Sequence, residues 1–234
     1  MKLKIKRESG FREYEVSEGL LLLKALYEIK QKQDSTLTFD SGCRSMVCGT
    51  CAVRVNGKEV LACGYKANDE DVIEPLRYHK VIRDLKVDKS ITQSKNRASE
   101  GYLHKYNEVV LNQNDEKKLS IQSDCILCDS CFSACPVMEV NENFLGPFSL
   151  TRSLRYAEDR REEDKKEIID AIQKSGIWDC TLCGECTLVC PKGIDPKGDI
   201  VILRNISASY GYMDPNFNNM GFDGGFGFDP NGGF

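Results

Sequence analysis

The amino-acid sequence predicts an α+β chain in two parts: a small β-grasp sheet around one helix, then an α-helical unit. Three observations carry this. Before about residue 90, apolar and polar residues alternate in short runs separated by turn signals. Beyond about residue 150, apolar residues recur at helical spacing. Twelve cysteines fall into three groups of four, one group in the first part and two in the second. The expected units are 1–95, 96–212 and a Gly/Asn/Phe-rich tail, 213–234.

In chain order, Lys2–Arg7 and Phe11–Val16 flank Ser9-Gly10 and read as a hairpin. Ser17 is placed to cap a helix from about Gly19 to Gln33, with Leu22, Leu26 and Ile29 on one face. Thr36–Phe39 is a short β-prone run, and Ser41–Cys51, with Gly42 and Gly49, reads as a loop. Cys51–Val55 and Lys58–Ala62 flank Asn56-Gly57, the signal of a type I′ hairpin. Val81, Arg83, Leu85 and Val87 alternate as a last strand. From Lys89 to Ser123 the pattern weakens into a polar connection. Leu150–Tyr156, Glu158–Lys174 and Asp199–Ser209 read as helices, the charged run Glu158–Lys166 being a solvated helix face. The tail has no Lys or Arg and nothing to support a packed core. Its aromatics, Phe217, Phe222, Phe226, Phe228 and Phe234, fit a flexible tail or a segment docked on a partner.

The cysteines carry the chemistry. Cys43, Cys48 and Cys51 follow C-x4-C-x2-C, with Cys63 downstream. Cys125, Cys128, Cys131 and Cys135 follow C-x2-C-x2-C-x3-C before Pro136, and Cys180, Cys183, Cys186 and Cys190 repeat that run before Pro191. These are the spacings of a plant-type 2Fe-2S site and of a bacterial two-cluster ferredoxin pair, in which four soft thiolates close each cluster. In such a pair the fourth cysteine of each run serves the other cluster. One 4Fe-4S unit is therefore expected on Cys125, Cys128, Cys131 and Cys190, and the other on Cys180, Cys183, Cys186 and Cys135. Pro136 and Pro191 break the local helix and aim the preceding cysteine away. Gly42, Gly49 and Thr50 give the first loop small side chains and backbone N–H groups for the sulfurs.

Disulfides suit small secreted scaffolds and not thiols in tight C-x2-C runs. Structural zinc is the rival, since C-x2-C pairs clip zinc. Zinc asks for neither the third Cys, nor the proline, nor a second copy of both. The chain thus reads as a carrier of single electrons through three iron–sulfur clusters, with a non-redox zinc module as the alternative.

Other signals are negative. The chain has 234 residues and a net charge of -4, which argues against a nucleic-acid binder. The longest apolar stretch, Leu20–Leu23, is far too short to span a bilayer. Met1–Arg7 alternates charge with apolar residues and lacks the core of a secretory signal. No nucleophile–base pair, phosphate loop or nucleotide fingerprint appears, so substrate chemistry is expected on another chain. His79 and His104 have no Cys or second His nearby and are expected at the surface or in packing. Trp178 is expected to shield a cluster, and Arg44 to tune the first one or to pair with a carboxylate.

The chain resembles the iron–sulfur subunit of succinate dehydrogenase and fumarate reductase. The residues that carry this are Leu37–Arg44, Val47–Ala52, Asn56–Lys58, Leu61–Cys63 and Val81–Leu85. Further on they are Cys125–Cys128, Cys131, Cys135-Pro136, Phe144–Pro147 and Val189–Pro196. The resemblance implies a plant-type ferredoxin domain followed by an α-helical ferredoxin domain. It also implies a FAD flavoprotein partner that oxidises succinate or reduces fumarate, and a membrane-side partner linked to quinone. The subunit is then peripheral to the membrane, on the cytoplasmic face or exported bound to a partner.

Three positions depart from the usual member. Cys183 stands where a non-cysteine leaves a 3Fe-4S last cluster, so a second 4Fe-4S unit is expected, with a 3Fe-4S unit beside a spare buried Cys183 as the alternative. Val140 and Thr181 stand where a Trp and a His serve a quinone pocket. Together these resemble the branch whose membrane-side partner carries CCG motifs, as in methylmenaquinol:fumarate reductases. The iron–sulfur subunit of another flavoprotein, such as a 2-hydroxy-acid dehydrogenase or a heterodisulfide-reductase-like enzyme, is the remaining alternative.

Overall fold

The computed structural model describes residues 1–215. The readings of Phe217 and the later phenylalanines lie outside the described residues. Strands β1 (Lys2–Arg7) and β2 (Gly10–Glu15) form the first hairpin. Helix α1 (Leu22–Lys32) buries Leu22, Leu23, Ala25, Leu26 and Ile29 on the sheet. It begins later than expected because Ser17 caps nothing; its hydroxyl instead donates to Glu28 of α1. Strands β3 (Ala52–Val55) and β4 (Lys58–Leu61) pair about Asn56 and Gly57, whose φ values of 50° and 83° are those of a type I′ turn. Strand β5 (Asp71–Glu74) completes a sheet of order β2-β1-β5-β3-β4, with β1 and β5 parallel.

Three elements differ from the sequence reading. Strand β5, which sits between β1 and β3, is too short for its alternation to stand out. The run expected as one last strand is a separate hairpin, β6 (Lys80–Arg83) and β7 (Lys86–Asp88), turned at Asp84, whose φ is 50°. Thr36–Phe39 forms no strand. Its backbone bonds to Asp84 instead, at 2.8 Å from Thr38 N. Arg7 ties these pieces together, donating to Asp84 at 2.8 Å, Asp34 at 2.6 Å and Thr36 at 2.9 Å.

The polar connection contains two helices, α2 (Ser90–Ala98) and α3 (Gln113–Ser123). Helix α2 crosses the boundary expected at 95 and packs on the helical unit. Asn112 and Asp115 form a capping box on α3. Short helices α4 (Ser130–Ala134) and α5 (Val137–Val140) follow the second cysteine run. Helix α6 (Pro147–Ala157) is the centre of the unit, with Phe148, Leu150 and Leu154 buried. Around it stand α3, α7 (Lys165–Ala171) and α9 (Pro196–Ser209). Helix α8 (Glu185–Leu188) carries Cys186. The charged run Glu158–Lys166 is not one solvated helix face. Asp159 and Glu162 are buried, and Glu162 accepts from the backbone of His104, Lys105 and Asp164. A loop that must satisfy its own amides inside the protein uses those carboxylates as caps, which helical periodicity does not show.

Candidate iron–sulfur sites

The first cysteine loop is a backbone cradle. Arg44, Met46 and Gly49 have φ of 62°, 58° and 68°, so the loop curls repeatedly and turns its N–H groups inward. Cys43 Sγ accepts from Ser45, Val47 and Cys48 N, each at 3.3 Å. Cys48 Sγ accepts from Cys43 N at 3.3 Å, and Cys63 Sγ from Met46 N at 3.2 Å. A hydrogen bond from the Thr50 side chain, with others from the backbone of Cys43 and Thr50, draws the Cys48 thiol down to about 6. Burial pushes the neighbouring Cys51 up to about 11. Thr50 donates as expected, whereas Gly42 and Gly49 serve by leaving room: a Cβ on Gly42 would sit 2.9 Å from Cys48 Sγ. Arg44 lies over the Tyr27 ring, 5.4 Å from its centroid.

The helical unit brings the ends of its two runs together. Cys125, Cys128, Cys131 and Cys190 line one small cavity, of about 20 Å³, with Ile126, Phe148 and Ile194. Both runs use the same backbone: Leu127 and Asp129 in the first, Leu182 and Gly184 in the second, all have positive φ. Helix α4 stops at Ala134, with Cys135 extended before Pro136, which starts α5. The thiol of Cys135 lies within electrostatic reach of Cys180 and Cys183, and Cys186 within reach of Cys180, Cys135 and Cys183. Burial pushes Cys125 and Cys135 up to about 11 and Cys186 up to about 12, and raises Cys131 as well. Such thiols keep their protons unless a cation draws the thiolate in, and metal binding would release them. All twelve cysteines are free thiols, in no disulfide. Cradled sulfurs in the first loop, and four thiols around one cavity in the second part, are soft donors that suit iron–sulfur clusters.

The surroundings add residues that sequence reasoning missed. His79 falls in packing, one of the two places expected for it: its side chain is fully buried, edge-on to Phe132 at 5.0 Å, with Nε2 3.5 Å from Asp129 inside the second cysteine loop. Lys89 stands 3.3 Å from the same carboxylate oxygen, and Thr92 donates to it. Only the position of Asp129 between Cys128 and Cys131 hinted at this. His104 pairs with Glu167 at 2.6 Å. Trp178 is half-buried, donates to Gln173, and lies under Arg204, which itself donates to the Cys180 carbonyl at 2.7 Å. Cys183 is exposed, as are Thr181 and Val140. In the alternative with a 3Fe-4S unit, the spare Cys183 would be an exposed thiol and not a buried one.

Residues 3–94 match the 2Fe-2S iron–sulfur cluster binding domain, and residues 121–194 the 4Fe-4S dicluster domain. The iron–sulfur subunit of 8-methylmenaquinol:fumarate reductase from Wolinella succinogenes is 36% identical over 242 residues, 90% of this chain and 74% of that protein. The chain belongs to the iron–sulfur subunits of succinate dehydrogenase and fumarate reductase. In this family its fold matches a chain of the Mycobacterium smegmatis Sdh1 complex in the apo form, with a TM-score of 0.80 and 25% identity over 91% of this chain and 97% of that one. An iron–sulfur protein of Methanocaldococcus jannaschii is 38% identical over 226 residues, and this subunit spans only 45% of its length. Among the described residues no helix is long and apolar enough to cross a membrane.

Proposed function

We propose that this subunit passes single electrons between a FAD flavoprotein acting on succinate or fumarate and a quinone-linked membrane-side partner. Its ligands are Cys43, Cys48, Cys51 and Cys63 for a 2Fe-2S cluster, and Cys125, Cys128, Cys131 and Cys190 for a 4Fe-4S cluster. Cys135, Cys180, Cys183 and Cys186 hold a second 4Fe-4S cluster. What supports this reading best is the cavity that Cys190 of the last run shares with Cys125, Cys128 and Cys131 of the run before it. The proposed units are a 2Fe-2S domain to about residue 95 and a two-cluster domain to about 212, with the hairpin β6–β7 and helix α2 bridging them.

Each cluster, when bound, takes up and gives back one electron. The protein's part is to hold and insulate. The N–H groups around Cys43 and Cys48 favour negative charge on those sulfurs, whereas the apolar walls about Cys125 and Cys131 disfavour it, so the first and second sites sit in different fields. The exposed 42–48 segment suits contact with the flavoprotein. The exposed Cys183, Thr181 and Val140 suit the membrane-side partner. The absence of a Trp and a His at Val140 and Thr181 favours a CCG-motif partner over direct quinone binding, and likeness to the Wolinella subunit supports that branch.

Co-purification tests the reading. A FAD subunit should accompany this chain, and succinate should reduce, or fumarate reoxidise, its clusters. Reduction by a 2-hydroxy acid, with no response to either dicarboxylate, would move the chain to another flavoprotein.

A further inference from the structure

Among the contacts between the two units is one of bare backbone. In the first cysteine loop residues 42–48 are exposed, but Gly49 is buried. A Cβ built on it would lie 2.7 Å from Cys128 Cβ, 2.9 Å from Cys128 Cα and 3.0 Å from the Ile126 carbonyl oxygen. Those neighbours are backbone atoms and a Cβ, so none can swing aside. With φ at 68°, position 49 also disfavours any side chain. Gly49 therefore lays bare backbone on a cysteine of the second group. Its covalent neighbour is Cys48, and Cys51 follows two residues later. Cys128 is buried in the same apolar core as Cys51 and Cys63, not in the core of its own unit.

A separate set of bonds holds this approach. Ser133, in α4 between Cys131 and Cys135, is fully buried. Its hydroxyl donates to Glu59 of β4 at 2.7 Å and accepts from Arg77 N at 2.8 Å. Its carbonyl accepts from Arg77 Nε at 3.1 Å. The sheet is thereby stapled to the helix that carries the cysteines.

We propose that the Gly49–Cys128 contact is the crossing point for electrons between the first and second clusters, with Gly49 as a positioning residue that sets its width. This rests on the cluster assignment above. In the crossing, one electron leaves the reduced 2Fe-2S cluster and reduces the oxidised 4Fe-4S cluster, or the reverse; no bond forms or breaks. The path from Cys48 runs through one peptide bond to Gly49, then across a single van der Waals gap to Cys128. Electronic overlap decays steeply across such a gap, so added width slows transfer without changing either end. The exposed residues 42–48 are left free for an outside donor.

The test uses the holoprotein with all clusters assembled. Gly49→Ala is compared at full iron content, with both midpoint potentials measured alongside so that a change in driving force is separated from a change in width. Light-driven electron injection should show transfer from the first to the second cluster slowed several-fold, and pulsed EPR should show the second cluster enhancing the spin relaxation of the first less strongly. Gly42→Ala crowds Cys48 in the same loop but does not face Cys128. It should alter the 2Fe-2S spectrum and leave the relaxation enhancement intact. Ser133→Ala removes no thiol and changes nothing in the first cysteine loop, and it should weaken the enhancement through the staple. An iron-replete Gly49→Ala with wild-type transfer and relaxation overturns the proposal. If that variant does not assemble, a Ser133→Ala with wild-type relaxation overturns it. A wild-type chain that takes up no iron would instead remove the cluster assignment.

Discussion

The first cysteine loop and the paired loops of the helical unit hold their thiols in opposite ways. Between Cys43 and Cys63 one continuous stretch supplies all four sulfurs, and backbone N–H groups already point at three of them. Cys43 and Cys48 face solvent. In the helical unit Cys190 of the second run joins Cys125, Cys128 and Cys131 of the first around one apolar cavity, and burial pushes Cys125 and Cys186 up. The lesson concerns what iron does for folding. The first site is organised by a sheet with its own core, so its metal adds little to the architecture. The other two lie in a helical unit with a core of its own, but their thiols come from two separate runs, so a cluster that draws off their protons would also tie those runs together.

The largest effect should come from breaking an exchanged ligand. Cys190→Ser should cost the second cluster and release hydrogen-exchange protection across α4, α6 and α9, while β1 to β5 stay protected. Equal loss in the sheet would erase the contrast between the two units. Next comes Arg7, which serves Asp34 and Asp84 in the first unit, both carboxylates being nearly buried. Arg7→Met should cost about 3–5 kcal/mol in denaturant unfolding of that unit, because it strands buried charge. Iron content at all three sites should be unchanged.

The same network gives a pH dependence. Asp34 is held below the usual carboxylate range by hydrogen bonds from Thr36, against the opposing effect of burial, with help from Tyr14 and Arg7. Its folded-state value is depressed, so its contribution is whole above about pH 4 and fades as pH falls below that. Asp34→Asn should flatten this acid limb; an unchanged limb would assign the acid loss to other groups.

Asp199 offers a smaller break in the helical unit. It accepts from Thr151 at 2.7 Å and Gln122 at 3.0 Å, and burial raises its carboxyl. Asp199→Ala leaves both donors unpaired and should cost about 1–3 kcal/mol. Asp199→Asn should cost much less, since it keeps the shape and sheds a buried charge. Smallest is the exposed Lys105–Glu163 pair at 3.0 Å. Lys105→Ala should change the unfolding midpoint by less than about 1 kcal/mol equivalent.

The sequence showed the cysteine spacing, the Asn56-Gly57 hairpin and α1 because each rests on a local pattern. What it hid depends on distant partners. Strand β5 belongs to the sheet only through β1 and β3, and its four residues carry too short an alternation. The hairpin β6–β7 looks like one strand until Asp84 is needed to meet Arg7 and Thr38. Asp159 and Glu162 look like surface charges until the loop amides they cap are known. At the sites, the positions of the thiols were legible. The stacking of Gly49 on Cys128, and of His79 beside Asp129, was not, since neither pairing leaves a trace in spacing.

The most direct measurement is iron quantification joined to EPR on the anaerobically purified chain, in oxidised and reduced forms. The account expects about ten irons, from one 2Fe-2S and two 4Fe-4S clusters, and no three-iron signal in the oxidised state. An oxidised three-iron signal would contradict Cys183 as a ligand, and colourless, iron-free material after reconstitution would contradict all three sites.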